Sequence, residues 1–128
     1  MPDTNAEVRD TLDRFMRAVE AADTKRVMEF FEEDAQMFSP LGAYPARLDG
    51  RDAIGVQFAT IAALVKQSPS PLKIDPYDMT VRSFGDVALV TCHLRMPGPQ
   101  QRRTFVMHRG SDGWRFAHIH ASIASPAQ

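Results

Sequence analysis

From Leu72 onward the chain is cut by turn signals into strand-length runs, and no other feature narrows the fold so far. Phe84-Gly85-Asp86, Pro97-Gly98-Pro99 and Gly110-Ser111-Asp112-Gly113 join glycine, proline and short polar residues, whose preferred dihedrals continue neither helix nor strand. The runs between them are Leu72 to Ser83, Val87 to Met96, Arg102 to Arg109 and Trp114 to Ile123. Short turns between such runs predict an antiparallel meander. Pro76 lacks the N–H that a ladder needs, so the first run is an edge or carries a bulge.

Strand side chains change face at every residue. In the last run this sets Ala117, Ile119, Ala121 and Ile123 against Trp114, Phe116, His118, His120 and Ser122. Matching aliphatic sets are Val90, Cys92 and Leu94, then Phe105 and Met107. That face suits the core. The opposite face, with Thr91, His93 and Arg95, then Thr104, Val106 and His108, suits the outside of the sheet. A single bulge would invert the phase.

The first half reads as helices. Thr4-Asn5-Ala6-Glu7 has the form of a capping box, with Thr4 at N-cap and Glu7 reaching back. Val8, Leu12, Phe15, Val19 and Ala22 then recur at helical spacing. Ala22-Asp23-Thr24 interrupts them, and Asp23 or Thr24 caps a second helix carrying Val27, Met28, Phe30 and Phe31. Glu32-Glu33-Asp34 reads as a solvated acidic segment near its end, followed by a brief strand from Ala35 to Phe38. Ser39 to Pro45 is a turn-rich loop. Asp49-Gly50 opens a third helix with Ile54, Phe58, Ile61 and Val65 as its stripe, ended by Gln67-Ser68-Pro69-Ser70-Pro71. Helices followed by a meander make an α+β cone: three N-terminal helices on the concave side of a curved, mostly antiparallel sheet.

A chain of 128 residues is expected to form one domain, residues 1–128, burying roughly two-thirds of its unfolded surface. With a formal charge of -1 and no basic block beyond Gln101-Arg102-Arg103, nucleic acid and anionic membrane are not expected partners. No apolar run approaches the ~20 residues of a bilayer span. The lone cysteine, Cys92, leaves no internal disulfide and fits a reducing compartment. The acidic N-terminus lacks the features of a signal peptide, so the expected address is cytoplasmic.

The order of elements resembles the nuclear transport factor 2-like superfamily, with its cystatin-like cone. That group includes SnoaL-like polyketide cyclases, ketosteroid isomerase and the association domain of calcium/calmodulin-dependent protein kinase II. The residues that carry the resemblance are Phe15 through Ala22-Asp23, Phe30-Phe31-Glu32-Glu33-Asp34-Ala35, Ser39-Pro40-Leu41-Gly42, Gly50-Arg51-Asp52-Ala53-Ile54, and Gly113-Trp114 through His118-Ile119-His120-Ala121-Ser122. The last looks most like the association domain and its small bacterial relatives. On ketosteroid isomerase, the resemblance puts the general-base aspartate at Ser39 and the oxyanion-hole tyrosine at Phe15. A serine does not replace a carboxylate as base at neutral pH, and phenylalanine donates no hydrogen bond. On the association domain, its pocket arginines fall on Phe105, Ala121 and Leu94, implying an apolar cavity in place of a cationic one.

Two sites are therefore expected. One is an apolar pocket lined by Phe15, Val19, Met37, Phe58, Cys92, Phe105, Met107 and Ile119, with Ser39 and Tyr44 at its mouth; the same residues as simple core filling are the competing reading. The other is a homodimer interface on the histidine face, using His93, His108, Trp114, Phe116, His118 and His120. His118 and His120 stand about 6.5–7 Å apart along one strand face, so a metal pair with His108 as third ligand is the alternative there. No Cys or carboxylate stands at ligand spacing, and neither a metal nor a cofactor is expected. Cys92, placed among apolar neighbours, is a poor nucleophile. Asp75 and Asp78 flank Pro76-Tyr77, where a bulge turning one inward would supply an acid or base. The expected function is small-molecule binding and self-association; the alternative is a cyclase, isomerase or hydratase acting on a small hydrophobic carbonyl compound.

Overall fold

In the computed structural model, which describes residues 3–40, 47–96 and 98–124, the first helix α1 (Thr4–Glu20) is capped by Asp3, whose side chain accepts from the Ala6 amide at 3.2 Å. The expected box of Thr4 and Glu7 does not form. Both side chains instead meet the sheet: Arg109 Nη2 donates to Thr4 Oγ1 at 3.1 Å, and Trp114 Nε1 donates to Glu7 Oε2 at 3.3 Å. The stripe Val8, Leu12, Phe15 and Val19 is buried, which is the face an amphipathic helix must hide. At its end Ala22 N–H bonds Val19 O and Asp23 N–H bonds Ala18 O, with Ala22 at φ 56°. That Schellman closure satisfies carbonyls the helix leaves open.

Asp23 caps the short helix α2 (Thr24–Met28), accepting from the Arg26 amide. Phe30 and Phe31, expected inside this helix, lie beyond it. Phe31 opens strand β1 (Phe31–Phe38), which also takes in the acidic segment. Glu33 and Asp34 are solvent-exposed as expected, but they sit on a strand. β2 (Arg47–Asp49) pairs with β1. Gly50 follows at φ 90°, ψ 158°, a conformation open almost only to glycine, and its N–H bonds Ala35 O at 2.8 Å. That turns the chain into α3 (Arg51–Gln67), where Ile54, Phe58 and Ala62 are buried while Ile61 and Val65 are only half-buried.

The meander follows as β3 (Asp75–Phe84), β4 (Val87–Arg95), β5 (Gln101–Gly110) and β6 (Gly113–Ile123). The six strands form one sheet in the order β2-β1-β6-β5-β4-β3. β1 runs parallel to β6, and the other pairings are antiparallel. The helices pack on the inner face of the curved sheet, giving the expected α+β cone. β3 is an edge strand, as Pro76 requires, and Pro76 itself stays in register with Leu94; the register shift comes later, between Tyr77 and Thr80.

β6 departs from strict alternation. Met107 pairs with Phe116 and Val106 with His118, so Ala117 is an extra, bulged residue. Before the bulge Trp114 and Phe116 point inward; after it Ile119 and Ala121 do. Trp114 and Phe116 are 6% and 0% exposed. Their expected place on an exposed interface is corrected: they belong to this chain's own core. Phe116 meets Phe15, Phe31 and Phe105 at ring-centroid distances of 4.7, 5.2 and 5.3 Å. Each such buried ring contributes about 1.5–3 kcal/mol by transfer.

Candidate functional site

Strand register sets the inward side chains in rows across the sheet. Ala88, Met107 and Phe116 make one row, and Val90, Phe105, Ile119 and Met37 the next. Cys92, Arg103 and Ala121 follow, then Leu94, Gln101 and Ile123. The first rows are sealed: Met107 and Phe116 are 0% exposed. The last is the rim, where Gln101 is half-buried and Ile123 is 38% exposed.

Between these rows and the helices lies a cavity of about 240 Å³. Helix α1 supplies Phe15, Met16 and Val19, and α3 supplies Phe58 and Ile61. The sheet supplies Met37, Leu94, Gln101, Arg103, Phe105, Ile119, Ala121 and Ile123; Ser39, Pro40, Leu72, Ile74 and Met96 complete the wall. Leu94, Phe105 and Ala121, the positions that the resemblance made apolar, all stand there. Cys92 and Met107 share the inward face but are buried behind the wall rather than in it. That corrects their expected role as lining, because the neighbouring side chains cover them. Tyr44 and the rest of the expected loop at 41–46 lie outside the described residues. Ser39 is buried, and its Oγ accepts from Gln57 Nε2 at 3.2 Å.

Arg103 is the residue the sequence reading missed. It lies two positions before Phe105, so the same parity turns it inward. Its Nη2 donates to Gln101 Oε1 at 2.7 Å and its Nη1 to Arg102 O at 3.0 Å. Among the described residues no carboxylate pairs with it. Burial lowers its pKa to about 10, leaving it charged at neutral pH. The Cys92 thiol opposite is pushed up to about 11 by burial, against the pull of the Arg103 charge. The thiol is therefore neutral, and the guanidinium is the one charge in the wall of the cavity among the described residues.

Asp75 and Asp78 do not turn inward. Asp75 accepts from Arg95 at 3.1 Å, Asp78 lies 3.4 Å from His93 Nδ1, and both carboxylates are largely exposed. The bulge leaves Asp78 at φ 53° on the outer side of an edge strand. Among the described residues, neither a carboxylate nor an imidazole lines the cavity.

On the outer face His118 and His120 flank Phe38, with centroid distances of 5.8 and 5.2 Å. Phe38 is 38% exposed; the alternation around Met37 already turns it outward. Burial, then the charge of His120, lowers the His118 pKa. His108 lies beyond the bulge, paired in register with Arg115, and its Nδ1 is 2.9 Å from Glu32. It does not join the other two. His93 stacks on Tyr77 at 5.2 Å. Among the described residues no group of three or more His, Cys, Asp or Glu is placed to hold a metal, and no helix is long and apolar enough to cross a membrane.

A family model described as a SnoaL-like domain matches residues 8–126. No curated protein matches the chain. Among solved structures, a provisionally assigned dehydratase of the nuclear transport factor 2-like family from Streptomyces avermitilis is 24% identical. It superposes with a TM-score of 0.84, the match covering 98% of this chain and 100% of that one. A nuclear transport factor 2-like protein with a cystatin-like fold from Novosphingobium aromaticivorans is 18% identical, with a TM-score of 0.77 over 96% and 83% of the two chains. A provisionally assigned calcium/calmodulin-dependent protein kinase type II association domain from Thiobacillus denitrificans is 21% identical, with a TM-score of 0.76 over 98% of both. At these identities the likeness is one of fold.

Proposed function

The chain belongs to the SnoaL-like domain family, and from that premise we propose that it binds a small, largely hydrophobic molecule inside the cone and associates with a second copy of itself through the outer sheet face. One observation carries the first part: a cavity of about 240 Å³ remains between α1, α3 and the sheet. Its walls are chiefly Phe, Met and Ile, with polar groups only toward the rim. Concave apolar sites with few polar handles are the usual form of small-molecule pockets. Self-association is supported by the Phe38, His118 and His120 patch and by the fold shared with a provisionally assigned association domain.

A catalytic reading, as a cyclase, isomerase or hydratase, needs an ionisable group beside the substrate with a pKa suited to proton transfer. Arg103 holds its proton too tightly to act as a base or acid at neutral pH. Fluorescence of N-phenyl-1-naphthylamine, a neutral apolar dye, tests the pocket. We expect saturable enhancement at one site per chain, lost when Ile119→Trp fills the cavity and the circular dichroism is unchanged. Equal enhancement in both proteins would place the dye elsewhere and end the pocket reading.

A further inference from the structure

We infer that the cavity takes an amphipathic monocarboxylate, its head on Arg103 and its aromatic or aliphatic body among Phe15, Phe58, Phe105 and Ile119. The inference rests on the pocket reading above and adds the ligand's charge and orientation. The cavity wall holds a physical mismatch. A guanidinium carries five N–H donors and a fixed charge, and Arg103 donates to neutral oxygens of Gln101 and Arg102. Partly desolvated cations without an acid partner weaken a fold. The folded chain holds Arg103 against an apolar wall all the same. A ligand carboxylate would supply the missing charge through short, charge-assisted hydrogen bonds.

Charge and depth narrow the class. One cation neutralises one charge, so a dianion such as a phosphate monoester would bring uncompensated charge into an apolar site, which is costly. Arg103 stands one row inside the rim formed by Gln101 and Ile123, about 6.5–7 Å along the strand. The head therefore lies below the surface, and the remaining space runs inward toward Phe105 and Ile119. Gln101, bonded to Arg103 Nη2 at 2.7 Å, holds the guanidinium in place at that level.

The test uses displacement of N-phenyl-1-naphthylamine by 4-phenylbutanoate and by 4-phenylbutan-1-ol, near-isosteres that differ in charge. On the unmodified protein the acid should bind at least about tenfold more tightly than the alcohol. Arg103→Gln, folded by circular dichroism, should bring the acid down to the affinity of the alcohol. Arg103→Lys, which keeps the charge without the planar fork, should retain part of the preference. Equal binding of acid and alcohol by the unmodified protein, with the dye still bound, overturns the carboxylate assignment and leaves the pocket standing. Failure of the dye to bind at all overturns both. A preference that survives Arg103→Gln in a folded variant also overturns the assignment.

Discussion

At the scale of single residues, the pair Cys92 and Arg103 shows how one row of a sheet sets chemistry. Each is the other's cross-strand partner, and burial moves both toward their neutral forms. For a thiol that means a raised pKa: the folded chain holds the proton more tightly than the unfolded chain does. The contribution of Cys92 to stability is complete below about pH 9 and is lost as pH rises toward 11. The same shift predicts inertness. At pH 8 the folded thiol should react with a disulfide reagent about a hundredfold more slowly than the thiol of the urea-unfolded chain, from thiolate fraction alone. Stopped-flow absorbance would measure it, and equal rates would mean that the Cys92 environment is open to water. Arg103 was within reach of the sequence, since two steps from Phe105 along a strand is the same face. Parity stated its direction; only the cavity around it makes its charge matter.

At the scale of elements, β6 decides where the aromatic residues go. Strict alternation groups Trp114 and Phe116 with the histidines, and the bulge at Ala117 separates them. A sequence does not announce a bulge: inserting one residue leaves both flanking stretches alternating, and only their relative phase changes. The consequence is measurable. Phe116→Ala should cost about 3–5 kcal/mol in urea denaturation, as expected for a large ring removed from a core. Phe38→Ala, on the outer face and 38% exposed, should cost the monomeric chain less than about 1 kcal/mol. Similar small costs at both positions would restore the exposed-strand reading. Other elements were legible because their cause is local. The stripe of α1, the glycine that opens α3 and the turns between β3, β4, β5 and β6 depend on neighbours a few residues away. β1 was misjudged in extent, since Glu32 to Asp34 have no intrinsic strand preference. They are drawn out by what brackets them, Phe31 against Phe116 and Met37 against Ile119.

At the scale of the whole molecule, the sheet divides two proposed activities: the inner face for a ligand, the outer face for a second copy. Thr104 and Val106 of β5, with Gln36 and Phe38 of β1, are the register partners of His118 and His120. None of these four carries a charge, so protonation of His118 meets no compensating acid across the strands. His118 already has a lowered pKa from burial and from His120. A lowered histidine pKa means that protonation opposes the structure, so its contribution is complete above about pH 6.5 and falls as pH drops below that value. Burial of the His118 imidazole against a partner would steepen this dependence. Sedimentation should therefore find a dimer near neutral pH whose dissociation constant rises at least about tenfold by pH 5. A His118→Asp, His120→Asp double variant should be monomeric at neutral pH with unchanged circular dichroism, because like charges then face each other across the interface. A protein that is already monomeric at neutral pH, or a double variant that stays dimeric, would remove the outer face from the assembly. Dye binding inside the cone would be unaffected by either result, since the outer histidines and the cavity wall occupy opposite faces of the same strands.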